Sequence, residues 1–274
     1  MPETGRRLEE SGFLEALRER VRAAQVINVD ETSDQVGTKT WWLHVAATKL
    51  YTYLVASRTR GKDAPDRAGV LGRFSGVMVH DRLVMYFAYE GATHAVCAAH
   101  LLRDLESVGK WQAQKVWTEA MATLLREMIG ATNAAREAGR TRLSYKAVQD
   151  FLDRYDEIVE HGRVANPPTP DWREPTNYER DAANLVSAFQ RLKAEITRFA
   201  KDLRVSPTNN EAERSLRMSK LHKKISGCFQ SERHAEGFAA VRSYIGTARK
   251  HDVSALAALQ MLFRDEVWMP PTTS

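Results

Sequence analysis

Val26-Ile27-Asn28-Val29-Asp30 is the stretch of sequence that decides the fold, because it is a short, mostly apolar run that ends on a carboxylate. Two similar runs, rich in β-branched and aromatic residues, follow at 41–47 and 51–56. The segments between them, 37–39 and 48–49, are short enough to be hairpin loops. The three runs therefore predict a three-stranded antiparallel meander.

The pattern beyond the meander predicts an α/β protein. Residues 62–73 suit a short helix, and the apolar run 76–81 predicts a fourth strand. After a loop at 87–91 the pattern is helical for more than a hundred residues, broken most clearly by the prolines at 166–170. The predicted helices are 6–24, 93–109, 111–138, 144–162, 178–203, 210–224, 232–250 and 254–263.

This pattern divides the chain into five parts. We predict that a long helical insertion separates two parts of one α/β core, in which a mixed sheet is flanked by helices. The five parts are an N-terminal helix (1–24), the first part of the core (25–92), the mostly helical insertion (93–205), the second part of the core (206–265) and a tail (266–274).

The composition favours a globular protein with an anionic partner. The chain of 274 residues is 43% hydrophobic, which excludes a disordered or fibrous protein. Lys and Arg number 40 against 35 Asp and Glu, a net charge of +5. Residues 201–250 alone carry eleven basic and five acidic residues, so the basic excess is concentrated there. Such a local positive field favours nucleic acid first and an anionic membrane second.

The cysteine content and the apolar runs indicate the compartment. Two cysteines, Cys97 and Cys228, argue against a disulfide framework and fit a reducing environment. No run approaches about 18 uninterrupted apolar residues, and the N-terminus lacks the apolar segment of a secretory signal. We therefore expect a cytoplasmic protein that does not span a membrane.

Two aspartates end predicted strands. Asp30 follows the run 26–29, and Asp81 follows the run 76–80. If the two strands are neighbours, both carboxylates project from one edge of the sheet, where open α/β sheets place their ligands. Two close carboxylates raise each other's pKa unless a divalent cation lies between them, and Mg²⁺ prefers such ligands. The alternative is that each aspartate only caps the turn that follows its strand.

A third acid is available at the start of the helix predicted from residue 210. Glu211 and Glu213 point about 200° apart on a helix, so only one of them can face the edge of the sheet. The apolar positions of this helix form no clean stripe, so the spacing does not decide between them. The alternative for Glu213 is a surface ion pair with Arg217.

Ordered motifs along the chain resemble the bacterial transposases of the insertion sequence 66 family. The most specific is Thr-Asn-Asn-Glu-Ala-Glu-Arg-Ser-Leu-Arg-Met-Ser-Lys at 208–220. The resemblance covers about residues 25–265. The other matching motifs lie at 29–32, at His80-Asp81 with Tyr86, at 97–105, at 224–229 and at 242–250.

The resemblance implies a ribonuclease H-like fold with a helical insertion before the last catalytic acid. It implies a catalytic and metal-binding triad of Asp30, Asp81 and Glu213, with Glu211 at a variable position. This triad would hold two Mg²⁺ ions, with Mn²⁺ as a substitute, for DNA cleavage and strand transfer. Our hypothesis is that Asp30 bridges both ions, while Asp81 and Glu213 each complete one coordination sphere.

Cys97 and His100 resemble a motif that follows the second aspartate in several transposase families. We predict that both side chains share one face of a helix and that His100 contacts the active-site edge or DNA. One alternative is a buried cysteine and a hydrogen-bonded histidine that pack the insertion. A zinc site is another, for which His94 and Cys228 are the available additional ligands.

Basic residues just beyond Glu213 are predicted to bind DNA. They would neutralise phosphates and make binding strongly dependent on salt. The alternative is a solvated helix face. These residues are Arg214, Arg217, Lys220, Lys223 and Lys224.

The expected partners are the DNA of transposon ends and of the target, in the bacterial nucleoid. Full-length members of the resembled family carry N-terminal DNA-binding elements, whereas about 25 residues precede the first strand here. Recognition of the ends would then need a separate chain or accessory proteins, and we expect a homo-oligomer on DNA. Two alternatives stay open: a ribonuclease H-like nuclease or resolvase that does not join ends, and an inactive, truncated remnant that only binds DNA.

Overall fold

The computed structural model describes residues 1–271. The chain divides into two compact units: Met1–His94 with the chain from Asn209 onward form the first, and Ala95–Thr208 form the second. Of the predicted tail 266–274, the last three residues lie outside the described part. No described helix is long and apolar enough to cross a membrane.

A mixed five-stranded sheet forms the centre of the first unit, as the α/β prediction requires. The strand order is β3-β2-β1-β4-β5. β1 pairs with β2 and β2 with β3 in antiparallel fashion, which confirms the predicted meander, whereas β1 and β4 are parallel. The strands are β1 (Val26–Val36), β2 (Lys39–Ala47), β3 (Thr52–Ser57), β4 (Val77–His80) and β5 (Thr93–Val96).

β1 is longer than predicted. The sequence run ended at Asp30, but the strand continues to Val36 and pairs with β2 along this whole extension. The residues after Asp30 are mostly polar, so the apolar pattern did not extend over them. A two-residue loop closes the hairpin, and Gly37 adopts a left-handed φ of 59° there, a conformation that glycine tolerates best.

The strand β5 was missed by the sequence prediction, which began a helix at residue 93. The structure has a four-residue strand that ends at Val96, and the helix begins at Ala98. The Thr93 amide donates a hydrogen bond of 2.9 Å to the Gly76 carbonyl. Four residues are too few to show a strand period, so tertiary pairing decides this element.

The predicted N-terminal helix 6–24 is two helices, α1 (Pro2–Glu10) and α2 (Phe13–Arg22). Gly12 lies between them with a φ of 76°, which a continuous right-handed helix does not allow. The predicted helix 62–73 likewise shrinks to α3 (Asp63–Arg67) and a single 3₁₀ turn.

The helices after residue 93 follow the predicted order, whereas the short helix at 84–87 was not predicted. One further correction concerns residues 178–203, which form three helices instead of one. The elements are α4 (Val84–Phe87), α5 (Ala98–Val108), α6 (Lys115–Glu137), α7 (Tyr145–Ala165), α8 (Asn177–Arg191), α9 (Lys193–Ile196), α10 (Arg198–Lys201), α11 (Asn210–Ser226), α12 (Glu232–Lys250) and α13 (Ala255–Phe263).

The sheet of the first unit packs between two apolar clusters. Ile27 and Val29 of β1 are fully buried in a cluster with α1 and α2. Val45 of β2 packs in the other cluster with Ala212 and Leu216 of α11. The alternation of side chains along a strand thus seats α11 on one face of the sheet.

The second unit contains α5 to α10. Its buried residues include Trp117 on α6, Tyr155 on α7 and Phe189 on α8. The Tyr155 hydroxyl donates a hydrogen bond of 2.7 Å to the Phe189 carbonyl, so this buried polar group is satisfied. These contacts hold the three longest helices of the unit together.

Candidate active site

Asp30 lies in β1, and Asp81 directly follows the neighbouring strand β4. The parallel register pairs Asn28 with Val79, and the same offset of 51 residues separates Asp30 from Asp81. Neighbouring strands run about 4.8 Å apart, so this register sets the two aspartates side by side. β4 ends at His80, so Asp81 follows its strand as predicted, whereas Asp30 lies within β1.

Asn209 attaches the start of α11 to the middle of the sheet. Its side-chain amide donates a hydrogen bond of 2.7 Å to the Val29 carbonyl, and its side-chain oxygen accepts one of 3.0 Å from Asn28. In the sequence, residues 208–210 together are typical of the start of a helix. In the structure Asn209 occupies the cap position, but its side chain bonds across to β1 and makes no capping hydrogen bond. This bond places the first turn of α11 next to Asp30.

The two glutamates of α11 have different neighbours. Glu213 follows Asn209 by four residues, so it lies on the side of the helix that faces β1. The Glu211 carboxylate instead forms an ion pair of 3.1 Å with Lys250 of α12. The helical phase that the sequence left open therefore directs Glu213, and not Glu211, towards the aspartates.

The electrostatics of Asp30 show that the three acids share one environment. Burial is the main cause that raises the pKa of Asp30, and the negative charges of Glu31, Asp81 and Glu213 add to it, so that the pKa is about 7. A divalent cation between the carboxylates would reverse this repulsion. The donor set, carboxylate oxygens from β1, the end of β4 and α11, has the chemistry that Mg²⁺ prefers.

Glu31 is a buried acid that the sequence analysis did not single out. Its side chain is only 2% exposed. The Tyr86 hydroxyl donates a hydrogen bond of 2.6 Å to one carboxylate oxygen, and Arg60 donates two, of 2.8 and 3.0 Å, to the other. Burial and Glu31 together raise the pKa of Tyr86 well above its usual value, so Tyr86 remains a donor. In the sequence, Glu31 lies in the matching motif at 29–32, and Tyr86 belongs to the matching motif that begins at His80. These motifs were the signal that could have identified both residues.

His80 supports the backbone next to Asp81. One ring nitrogen contacts the Asp81 carbonyl and the other lies 3.1 Å from a ring nitrogen of His94. Burial lowers the pKa of His80 to about 3, so the ring is neutral near pH 7. The Asp81 carboxylate itself accepts a hydrogen bond of 2.9 Å from the Leu83 amide, which shapes the turn after β4.

A basic stripe continues from Glu213 along α11. Arg217, Lys220 and Lys224 follow Glu213 by 4, 7 and 11 residues, so all three lie within about 40° of it around the helix axis. Arg214 and Lys223 flank this stripe. All five basic side chains are exposed, as phosphate contacts require.

Cys97 and His100 lie at the start of α5 in the second unit. Cys97 is buried and occupies the position before the helix, while His100 is half-buried in the first turn. The two residues considered as additional zinc ligands are placed differently. Both ring nitrogens of His94 have partners, His80 and the Tyr89 carbonyl, and Cys228 is exposed.

A mixed sheet with acidic side chains beside a basic helix is compatible with a nucleic-acid-processing enzyme, the class that the family comparison supports. Comparison with family models gives a match to the transposase IS66 family over residues 1–237, and the chain belongs to that family. This membership supports a transposase role and implies DNA as the substrate. No curated protein and no solved structure matches the chain in the corresponding comparisons.

Proposed function

We propose that this chain is the catalytic part of a DNA transposase, in which Asp30, Asp81 and Glu213 form an Asp-Asp-Glu triad. The observation that carries the proposal is the hydrogen bond of 2.7 Å from the Asn209 side chain to the Val29 carbonyl, which holds the first turn of α11, with Glu213, beside the strand that carries Asp30. Like charges from three separate elements destabilise the folded chain unless a cation compensates for them. Their convergence is therefore expected for a metal site and not for a purely structural one.

The proposal includes a ribonuclease H-like fold. Three observations support it: an antiparallel meander of β1 to β3, a parallel fourth strand beside β1, and an aspartate in β1 with another directly after β4. The helix that carries the third acid packs on the same sheet through Ala212 and Leu216. The helices between β5 and α11 would be the insertion of such a fold.

The triad would hold two Mg²⁺ ions, with Mn²⁺ as a substitute. Bound there, the ions would supply the Lewis acidity that activates a water or a 3′-hydroxyl and stabilises the leaving oxygen of a phosphodiester. The chain's own residues would hold the three carboxylates in position. Asn209 holds the helix of Glu213 against β1, and the contacts of Glu31 and His80 hold the backbone beside Asp30 and Asp81.

DNA would approach along α11. The exposed stripe of Arg217, Lys220 and Lys224 starts next to Glu213, so phosphates bound by the stripe lead a strand to the carboxylates. Strand transfer needs two element ends at one target, so we propose a homo-oligomer on DNA, with recognition of the ends by a separate chain or accessory proteins.

The test is DNA cleavage and joining by the full chain with a duplex that carries the ends of its own element. With Mg²⁺ we expect nicking at the end and transfer of a pre-cut end into a plasmid. Asp30→Asn and Glu213→Gln should each abolish both reactions, while the circular dichroism spectrum stays unchanged. Glu236→Gln, on the exposed side of α12, is the matched control and should remain active.

The same assay separates the proposal from its two rivals. A nuclease or resolvase would nick DNA but fail to join a pre-cut end, and a remnant would bind duplex without nicking it in Mg²⁺ or Mn²⁺. Cleavage that survives Asp30→Asn would reject the triad itself.

A further inference from the structure

A basic cavity lies on the other side of α11 from Glu213. Its volume is about 400 Å³, and it is bounded by α11, α12 and the start of β3. Glu211 is the one carboxylate among the side chains that line it. Five basic side chains also line it: Lys49, Arg214, Arg242, Arg249 and Lys250.

Glu211 does not neutralise the cavity, because it is already paired with Lys250 at 3.1 Å. Lys250 also donates hydrogen bonds to the carbonyl oxygens of Thr48 and Tyr51, so its ammonium is held by the protein itself. The other four basic side chains therefore give the cavity a strong excess of positive charge. Such an excess attracts a polyanion.

Arg242 provides the main evidence for a ligand in this cavity. Its Nε is buried, and within residues 1–271 it has no hydrogen-bond partner. Burial lowers the pKa of Arg242, and the nearby Arg249 lowers it further; among the described residues, no carboxylate contributes to this pKa. Arg22, half-buried in the same unit, instead donates from Nε to the Gly69 carbonyl at 2.7 Å, whereas the Nε of Arg20 is, like that of Arg242, buried without a hydrogen-bond partner among the described residues. A buried donor without a partner is rare in folded proteins and calls for a ligand.

A second unused donor lines the same cavity. The hydroxyl of Thr52 is buried and has no hydrogen-bond partner in the described part of the chain. Beside it, Gly246 packs against Thr52 so closely that a Cβ there would come within 3.1 Å of it, and Gly246 adds no side chain to the cavity. A cavity with hydroxyl and guanidinium donors and little side-chain bulk suits a compact oxyanion.

We propose that this cavity binds a phosphate group of the DNA backbone, away from the phosphodiester that is cleaved. Arg242 would be the central ligand, and the exposed Arg214 and Arg249 would add charge. The inference rests on the proposed function, because the cavity and the triad lie on opposite sides of the first turns of α11. A DNA strand that crosses the start of this helix would meet both sites, so the cavity would set the position of the strand relative to the carboxylates.

The experiment measures binding of the full chain to a fluorescently labelled duplex in EDTA, so that no cleavage contributes. Arg242→Gln should weaken binding about tenfold and reduce the slope of log affinity against log salt by about 1. Arg233→Gln, at an exposed position on the same helix, is the control and should change neither quantity. Because Arg242 is half-buried, the exposed Arg249→Gln serves as a second variant that leaves the fold intact and should also weaken binding.

A parallel measurement uses inorganic phosphate alone. Phosphate should raise the Tm of the wild-type chain more than chloride of equal ionic strength does, and Arg242→Gln should remove that difference. If Arg242→Gln and Arg249→Gln both bind duplex like the wild type, the DNA assignment is overturned. A phosphate effect lost in Arg242→Gln together with unchanged duplex binding would likewise overturn it, since the ligand is then free phosphate.

These measurements distinguish failure of the phosphate site from failure of the proposed catalytic function. Suppose that the wild-type chain never cleaves DNA but that Arg242→Gln still lowers its affinity for duplex. The proposed function would then be rejected, and the phosphate site would be retained. Cleavage that depends on Glu213, together with duplex affinity that does not depend on Arg242 or Arg249, would do the opposite.

Discussion

Asp30 and Asp81 each stand two residues beyond the Asn28–Val79 pair, the last pair in the parallel register of β1 and β4. These two carboxylates, with Glu213 of α11 nearby, give the folded chain a concentrated negative charge. This charge raises the pKa of Asp30 in addition to the effect of burial. Under the proposed function, a bound cation would offset this repulsion.

We expect Asp30→Asn to stabilise the metal-free chain. The pKa of Asp30 is about 7 in the folded state and 3.8 in its ordinary state, so the folded protein binds more protons between these values and loses stability as pH rises through that window. At pH 7.5 in EDTA the variant should be more stable by roughly 1–3 kcal/mol, and near pH 4 the two proteins should be alike. Urea unfolding at both pH values measures this.

Mg²⁺ should reverse the order of stability, because a ligand that binds only the folded state stabilises it. Asp153→Asn on an exposed surface of α7 is the control. A wild type that matches Asp30→Asn at pH 7.5 without metal would contradict the electrostatic account.

His80 should contribute a pH dependence of the opposite sign. Its pKa is about 3 in the folded state and 6.5 in its ordinary state, so the unfolded chain binds more protons and stability falls as pH drops below 6.5. In His80→Gln the rise of unfolding free energy between pH 4 and 6 should be less steep by about 1.4 kcal/mol per pH unit at most. His161→Gln, at an exposed position on α7, controls for the loss of a histidine.

Asn209→Ala should damage both stability and activity. The change leaves the Val29 carbonyl without its 2.7 Å donor and the Asn28 amide without its acceptor, both in a buried region. We expect a loss of about 1–3 kcal/mol in unfolding free energy and a larger loss of cleavage than of duplex binding, since Glu213 is displaced. Asn210→Ala changes the exposed neighbouring asparagine and should have little effect on any of these quantities.

Tyr86→Phe tests the contact with Glu31. Removal of the hydroxyl leaves one oxygen of a carboxylate that is 2% exposed without its donor, so we expect a loss of about 1–3 kcal/mol in unfolding free energy. A double-mutant cycle with Glu31→Gln should show a coupling of about 1 kcal/mol or more, and an additive result would refute the contact. Tyr145→Phe, at a residue that is 81% exposed, is the control.

The basic stripe of α11 should determine the salt dependence of DNA binding. Lys220→Gln and Lys224→Gln should each lower the slope of log affinity against log salt by about 0.9, with little dependence on the sequence of the duplex. Lys146→Gln is the control. It removes one positive charge from α7, at a side chain that is 85% exposed. Equal effects of all three variants would mean that net charge, and not the stripe, attracts DNA.

Local sequence accounts for the elements and for the two aspartates. Apolar runs predicted β1 to β4, and a strand run that ends on a carboxylate identified Asp81 as well as Asp30. The short strand β5 and the split at Gly12 were missed, because four residues show no periodicity and one glycine is compatible with either a helix or a break. The extension of β1 was missed because polar residues pair as readily as apolar ones when a partner strand is present.

Strand runs, helix periodicity and charge are local properties, so they were enough to predict an α/β chain with a concentrated basic segment. The family resemblance favoured Glu213 over Glu211, but the contacts of the folded chain were needed to show that Glu211 pairs with Lys250 and that Arg242 lines a cavity with an unused donor. Helical phase relative to a sheet depends on contacts such as Asn209 with Val29, which join residues 180 positions apart in the chain and leave no periodic trace in it.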